Sequence, residues 1–159
     1  MPVQQEATGS TAPPAAGTAL VELLTVVARR VARGVGAVLA EDGATLDSYR
    51  LMRALGDGPG ATMGELCAVL SVPAPTATRL VDGLVDAALA HRLPDPDDGR
   101  RVRVHLSTRG RTRLDRLHAL VRAHESALAA ELGAGRVAAL VAALTDVAEP
   151  PGSEPIARS

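Results

Sequence analysis

The sequence contains no lysine, no phenylalanine and no tryptophan, and only one tyrosine and one cysteine. Without large aromatics, a chain that is 47% hydrophobic must assemble its core from Leu, Val and Ala. Such small side chains favour closely packed helices, often with a core shared between two chains. The lone Cys67 excludes an intrachain disulfide and gives no sign of an oxidising compartment; at an apolar helix position it reads as a buried structural thiol. No apolar run approaches the roughly 20 residues that a membrane-spanning helix needs. The first 17 residues have neither a basic nor an apolar segment of the kind a signal peptide carries, so a cytoplasmic location is expected. Catalytic motifs are missing as well: there is no G-x-S-x-G, P-loop, paired metal-ligand motif or Cys–His constellation, and Ser48, Ser107 and Ser126 have no evident partner base. Neither enzymatic activity nor a cofactor is expected. Of the four histidines, His118 and His124 stand six apart, which does not share a helical face. His91 and His105 fall on opposed strands, where surface exposure accounts for them, so no metal site is expected.

The charge that is present is unevenly placed. The chain as a whole carries −1 at neutral pH, but residues 100–116 hold seven arginines against Asp115 alone. That segment is therefore +6 and the remainder −7. A local cationic stretch of this size is an electrostatic footprint for nucleic acid, whatever the overall isoelectric point.

Hydrophobic periodicity divides the chain. Residues 1–17 and 149–159 are rich in Pro, Gly, Ser and Thr without periodicity and read as mobile tails. A first helix is expected over 18–40, with Leu20, Leu24, Val27, Val31, Val35 and Val38 on one face. Asp42-Gly43 breaks it. A second helix starts near Leu46 behind Thr45, and the segment 56–61 stops it. A third, Met63–Leu70, follows Thr62 with Glu65 completing a capping box. Pro73 and Pro75 fix the start of a fourth near Ala74, with Leu80, Leu84 and Ala87 inward and Thr76, Thr78 and Arg79 outward. Leu89–Leu93 and Arg100–Leu106 are strands around the turn 94–99. In the second, Val102, Val104 and Leu106 point inward while Arg101, Arg103 and His105 point outward. A long helix then runs to about Leu132, with Leu114, Leu117, Val121, His124 and Leu128 forming a coiled-coil-like seam. Gly133 and Gly135 end it before a last helix bearing Val137, Leu140, Val141, Leu144 and Val147.

A helix followed directly by an arginine-tipped hairpin is how a winged helix-turn-helix grips duplex DNA. The helix enters the major groove, and the wing follows the backbone towards the minor groove. The fold class expected is mainly α with a small β-hairpin wing. Pro75, Thr76, Thr78 and Arg79 on the helix, and Asp98, Arg100, Arg101 and Arg103 on the wing, are the expected DNA-binding residues. Arg79 suits guanine or phosphate. Asp98 either holds the shape of the wing through an arginine or is simply a turn residue. Arg109, Arg111 and Arg113 read equally as a solvated face or as phosphate contacts.

The carrying residues are Thr76-Ala77-Thr78-Arg79-Leu80-Val81-Asp82, His91-Arg92, Asp95-Pro96-Asp97-Asp98-Gly99-Arg100-Arg101 and Leu106-Ser107-Thr108-Arg109-Gly110. In order and spacing they resemble the MarR (multiple antibiotic resistance regulator) family of winged-helix transcription factors over roughly residues 20–148. The family usually has glycine just after the recognition helix, in a left-handed turn; Ala88 stands there in this chain. The resemblance implies a homodimer. It also implies a helical dimerisation region at 18–44 and 108–148, and a DNA-binding domain at 45–107. The expected target is a pseudo-palindromic site whose half-sites lie roughly 34 Å apart.

The resulting expectation is a repressor released by a small anionic or phenolic ligand at the junction of the two regions. Tyr49, the only aromatic, is the candidate ligand-binding residue there, against the favoured reading of a core residue with its hydroxyl at the rim. The alternative is an effector-independent architectural or protein-partnered DNA-binding module. The scarcity of aromatics favours that alternative, because pockets usually borrow aromatic walls.

Overall fold

The computed structural model describes residues 16–56 and 58–148. The tails expected over 1–17 and 149–159 lie almost wholly outside the described residues. Along the chain come α1 (Ala16–Glu41), α2 (Leu46–Leu55), β1 (Ala61–Thr62), α3 (Met63–Leu70), α4 (Ala74–Asp86), β2 (Ala90–Pro94), β3 (Val102–Leu106), α5 (Thr108–Leu132) and α6 (Ala134–Ala148). The chain divides into two compact units, 1–34 and 35–159, with the boundary inside α1. In the first unit the expected apolar stripe exists but is uncovered: Leu20, Leu24, Val27 and Val31 are exposed, as are Val21, Leu23 and Val26.

The second unit holds a core of Leu, Val and Met side chains contributed by α1 from Val35 onwards, α2, α3, α4, the sheet and α5. Local signals set most of its helix ends. Thr45 caps α2 reciprocally with Ser48, and Thr62 caps α3 reciprocally with Glu65. Pro73 precedes the first turn of α4 and Pro75 sits within it, where a missing N–H costs nothing. The buried stripe of α4 is Ala77, Val81 and Leu84. It is turned from the expected Leu80–Leu84–Ala87 set, so that Leu80 is half-buried and Ala87 exposed. Along α5, Leu114, Leu117 and Val121 are buried, while His124 and Leu128 further along the seam are half-buried. Gly133 (φ 91°) ends α5 by itself; Gly135, expected in the break, lies inside α6, which has no buried residue.

The sheet has β3 in the centre, paired antiparallel with β1 and β2. Two-residue β1 carries no periodicity and was not expected. It pairs Ala61 with Val104 and Thr62 with Arg103. Val104 and Leu106 are buried as expected, but Val102 is 48% exposed. It pairs only with Pro94, beyond the reach of β1, where the sheet has thinned to two strands.

Arg103 departs from the outward role expected of it. Its Nε donates to Asp95 Oδ2 at 2.6 Å and its Nη1 to the Gly60 carbonyl at 2.9 Å, with Glu65 3.7 Å away. These acceptors tie the guanidinium to Asp95 and Gly60 instead of leaving it extended into solvent, although its side chain stays 24% exposed. Asp95, 6% exposed, also accepts from the Asp97 amide at 2.9 Å. The Arg103 hydrogen bond, followed by that amide, holds the Asp95 carboxyl below its ordinary pKa.

Ala88 adopts φ 57°, the left-handed conformation anticipated for the residue after the recognition helix. Its N–H and that of Leu89 close the helix on the carbonyls of Val85 (2.9 Å) and Leu84 (2.8 Å).

Two outcomes follow. Ala88→Gly removes a Cβ from a left-handed residue and should stabilise the fold by about 1 kcal/mol in urea unfolding; an unchanged or lower midpoint would show that the turn carries no such strain. Because the folded pKa of Asp95 is depressed, its contribution is fully present above the unfolded value of about 4 and is lost as pH falls through the lower folded value. The stability gap between the protein and Asp95→Asn should therefore be constant from pH 7 to about 5 and close below about pH 4.

Candidate nucleic-acid interface and arginine-lined cleft

The first half of α4 presents the helix residues expected to meet DNA: Pro75, Thr78 and Arg79 are exposed and Thr76 is half-buried. This N-terminal half is the part that a recognition helix lays against base edges. The Thr78 hydroxyl donates to the Ala74 carbonyl at 2.9 Å, which leaves its oxygen lone pairs available as acceptors. Asp82 pairs with Arg92 at 2.6 Å, bracing α4 against β2, so it does not neutralise Arg79.

At the wing tip, backbone bonds from Asp95 N to Arg101 O and from Arg101 N to Asp98 O, both 2.8 Å, close the turn. The Asp98 carboxylate accepts from the Arg100 amide at 3.1 Å and pairs with Arg101 Nε at 3.2 Å. Of its two expected roles, Asp98 takes the shaping one. Arg100 is exposed and the Arg101 side chain is 69% exposed, so the tip carries two cations into solvent.

The ambiguous arginines of α5 separate by face. Arg109, Thr112, Arg113 and Arg116 stand at i, i+3, i+4 and i+7, one side of a helix. Together with Arg79 of α4 they line a cleft of about 750 Å³. Met52, Leu80, Leu84 and Leu89 supply apolar wall and Thr45 and Ser48 hydroxyls; no acidic residue is in the lining itself, but Asp42 next to it pairs with Arg113 and Arg116. Four guanidinium groups over an apolar floor favour a small anion with an apolar body. Arg111 turns the other way, donating to the Leu106 carbonyl at 2.9 Å. For Arg109 and Arg113, which had two equal readings, and for Arg116, which had none, the i, i+4, i+7 spacing was the available signal. The contribution of α4 was not legible, because it depends on how α4 and α5 pack.

Tyr49 is not among the residues of this cleft. It is buried, its ring edge-on to His118 (centroids 5.5 Å apart) and beneath the Arg53 guanidinium at 5.8 Å. Burial raises its hydroxyl pKa against the opposing charge of Arg53. His91 and His105 face each other across β2 and β3 as stacked rings 5.7 Å apart. Cys67 is a free thiol and half-buried rather than fully buried as expected. Among the described residues, no three His, Cys, Asp or Glu side chains gather as a metal would require. No single helix among them is long and apolar enough to cross a membrane.

This architecture recurs in proteins of known structure. A sequence model of the MarR family matches residues 42–101. Apo wild-type MarR from E. coli is 31% identical, covering 80% of this chain and 96% of its own, with a TM-score of 0.73. The transcriptional repressor CouR bound to a 23-mer DNA duplex is 26% identical over 84% of this chain and 95% of its own, TM-score 0.76. The Mycobacterium tuberculosis MarR family protein Rv2887, in complex with p-aminosalicylic acid, is 27% identical over 82% and 98%, TM-score 0.69. No curated protein sequence matches. With the helix order, the three-stranded wing and an identity of 31% over most of both chains in agreement, the chain belongs to the MarR family of transcriptional regulators.

Proposed function

We propose that this regulator is a homodimeric repressor that binds a pseudo-palindromic DNA site and is released by an anionic amphiphile held in the arginine-lined cleft. The observation that carries the reading is the position of Arg79. It is exposed on the N-terminal half of α4 and is also a wall of the cleft. A ligand carboxylate that draws this guanidinium inward removes it from DNA, so DNA and ligand compete for one side chain, as a switch requires.

Thr76, Thr78 and Arg79 read base edges or phosphates, and Arg100 and Arg101 follow the backbone towards the minor groove. Two relatives lend support: CouR occurs on a DNA duplex, and Rv2887 with p-aminosalicylic acid, an aromatic carboxylate. The uncovered apolar faces of α1 (Leu20, Leu24, Val27, Val31) and α6 (Leu140, Val141, Leu144, Val147) suit a second copy of the chain, because grouped exposed apolar side chains are the mark of an association surface. The same faces and α5 make up the dimerisation region of this reading, with residues 45–107 as the DNA-binding domain.

The deciding experiment is binding to the DNA upstream of the protein's own gene at several salt concentrations. Wild type should bind tightly with a steep salt slope. Arg100→Ala/Arg101→Ala should weaken binding about tenfold or more and flatten the slope by roughly 1 for each phosphate no longer neutralised. Equal, weak binding of both proteins to that DNA and to random DNA, with no specific site in a genome-wide pull-down, rejects the repressor. Light scattering should give twice the chain mass of 16.3 kDa. p-Aminosalicylate should release wild-type protein from DNA; DNA binding that no aromatic carboxylate affects would favour the effector-independent module.

A further inference from the structure

The turn between α1 and α2 carries a side chain to which DNA binding and dimerisation give no task. Asp42 follows the last residue of α1 and is succeeded by Gly43 in a left-handed turn (φ 65°). Its side chain is only 6% exposed, and it meets two of the four cleft arginines. Arg116 is paired with Oδ1. Arg113 lies 3.4 Å from Oδ2 and also donates to the Asp42 carbonyl. The pairing is incomplete: Oδ2 is buried and accepts no hydrogen bond. A buried carboxylate oxygen left in that condition carries a desolvation cost that the rest of the contact has to offset. Asp42 is the only acid with which Arg113 and Arg116 pair among the described residues, whereas Arg79 and Arg109 in the same cleft have no acidic partner there.

We infer that Asp42 is the resident counter-anion of the cleft: its carboxylate holds Arg113 and Arg116, and an effector carboxylate binds by taking those guanidinium groups from it. The inference rests on the effector reading above and deepens it, naming the group with which the effector competes. The chemistry on the two sides is the same, a carboxylate against a guanidinium pair, so exchange needs no new type of contact. The Arg116 side chain is 70% exposed and free to turn from Asp42 towards an incoming anion. Once it turns, the tie between the α1–α2 turn and α5 is replaced by a tie between ligand and α5. Competition also sets specificity. A neutral analogue gains nothing from the arginines and cannot repay the separation of Asp42 from them, so the cleft selects carboxylates over amides of the same shape.

The test is calorimetric titration of the full chain with 2-naphthoate, and with the neutral 2-naphthamide, into wild type, Asp42→Asn, Asp47→Asn and Asp42→Asn/Arg116→Gln. Circular dichroism establishes that each is folded, and Asp42→Ser replaces Asp42→Asn should the latter not fold. Asp47 is an exposed acid in the first turn of α2 and controls for the loss of one negative charge. Expected is naphthoate binding about tenfold tighter to Asp42→Asn than to wild type, within the usual range of coupling between two sites. Asp47→Asn should leave affinity unchanged, and the double variant should lose the gain. Equal or weaker naphthoate binding by folded Asp42→Asn overturns the inference and leaves the effector reading standing. A gain that Asp47→Asn or naphthamide shares overturns it too, as a general charge or packing effect. Naphthoate binding to neither wild type nor Asp42→Asn overturns both readings together.

Discussion

The unit that holds the wing depends on one close approach, that of Gly110 at the start of α5 to the carbonyl of Leu89. A Cβ on Gly110 would lie 2.0 Å from that oxygen, closer than any side chain permits. Around this point the chain is fastened three times. Ser107 N donates to Leu89 O at 2.9 Å, the Ser107 hydroxyl to Ala88 O at 2.8 Å, and Gly110 N to the Ser107 hydroxyl at 2.9 Å. The exit of the recognition helix, the last residue of the wing and the first turn of the long helix therefore meet within a few residues. Leu89 and Arg109, on either side of the contact, both line the cleft. The cleft thus opens directly onto the junction from which α4, the wing and α5 take their directions.

Much of this fold was legible because it is written in short-range chemistry. The capping pair Thr62–Glu65, the prolines at 73 and 75, and the alternation through Val104 and Leu106 each fix a local geometry without reference to distant residues. The positive φ of Ala88 was anticipated on a different ground, the family resemblance, which puts a left-handed turn at that place. What escaped depends on contacts between elements. β1 exists only because β3 has an unpaired edge opposite residues 61 and 62. The tethering of Arg103 uses a carbonyl, that of Gly60, forty-three residues away in sequence.

The site divides along the same line. Arg100 and Arg101 could be assigned from the hairpin alone, because a turn tip has little but solvent around it. Arg103, two residues on, looked equivalent by its alternation and is tied to Asp95 and Gly60. Period-two patterning says which way a side chain leaves the strand, and says nothing of an acceptor waiting on that side. Of the two readings of Tyr49, its burial beside His118 fits the core residue, and the pocket reading leaned only on its being the sole aromatic. The cleft between α4 and α5 is instead walled by aliphatic side chains and arginine. A composition without aromatics has here been met by guanidinium planes, which offer charge and a flat surface together.

The isolation of Tyr49 has a practical side. The chain has no tryptophan and no second tyrosine, so every tyrosyl signal of the folded protein originates at one place, where α2 meets His118 of α5. Near-ultraviolet dichroism, which vanishes when fixed packing is lost, then reports on a single helix–helix contact rather than on an average over the core. The protein carries an intrinsic optical probe outside the arginine-lined cleft, one that registers the packing of α2 against α5 and little else.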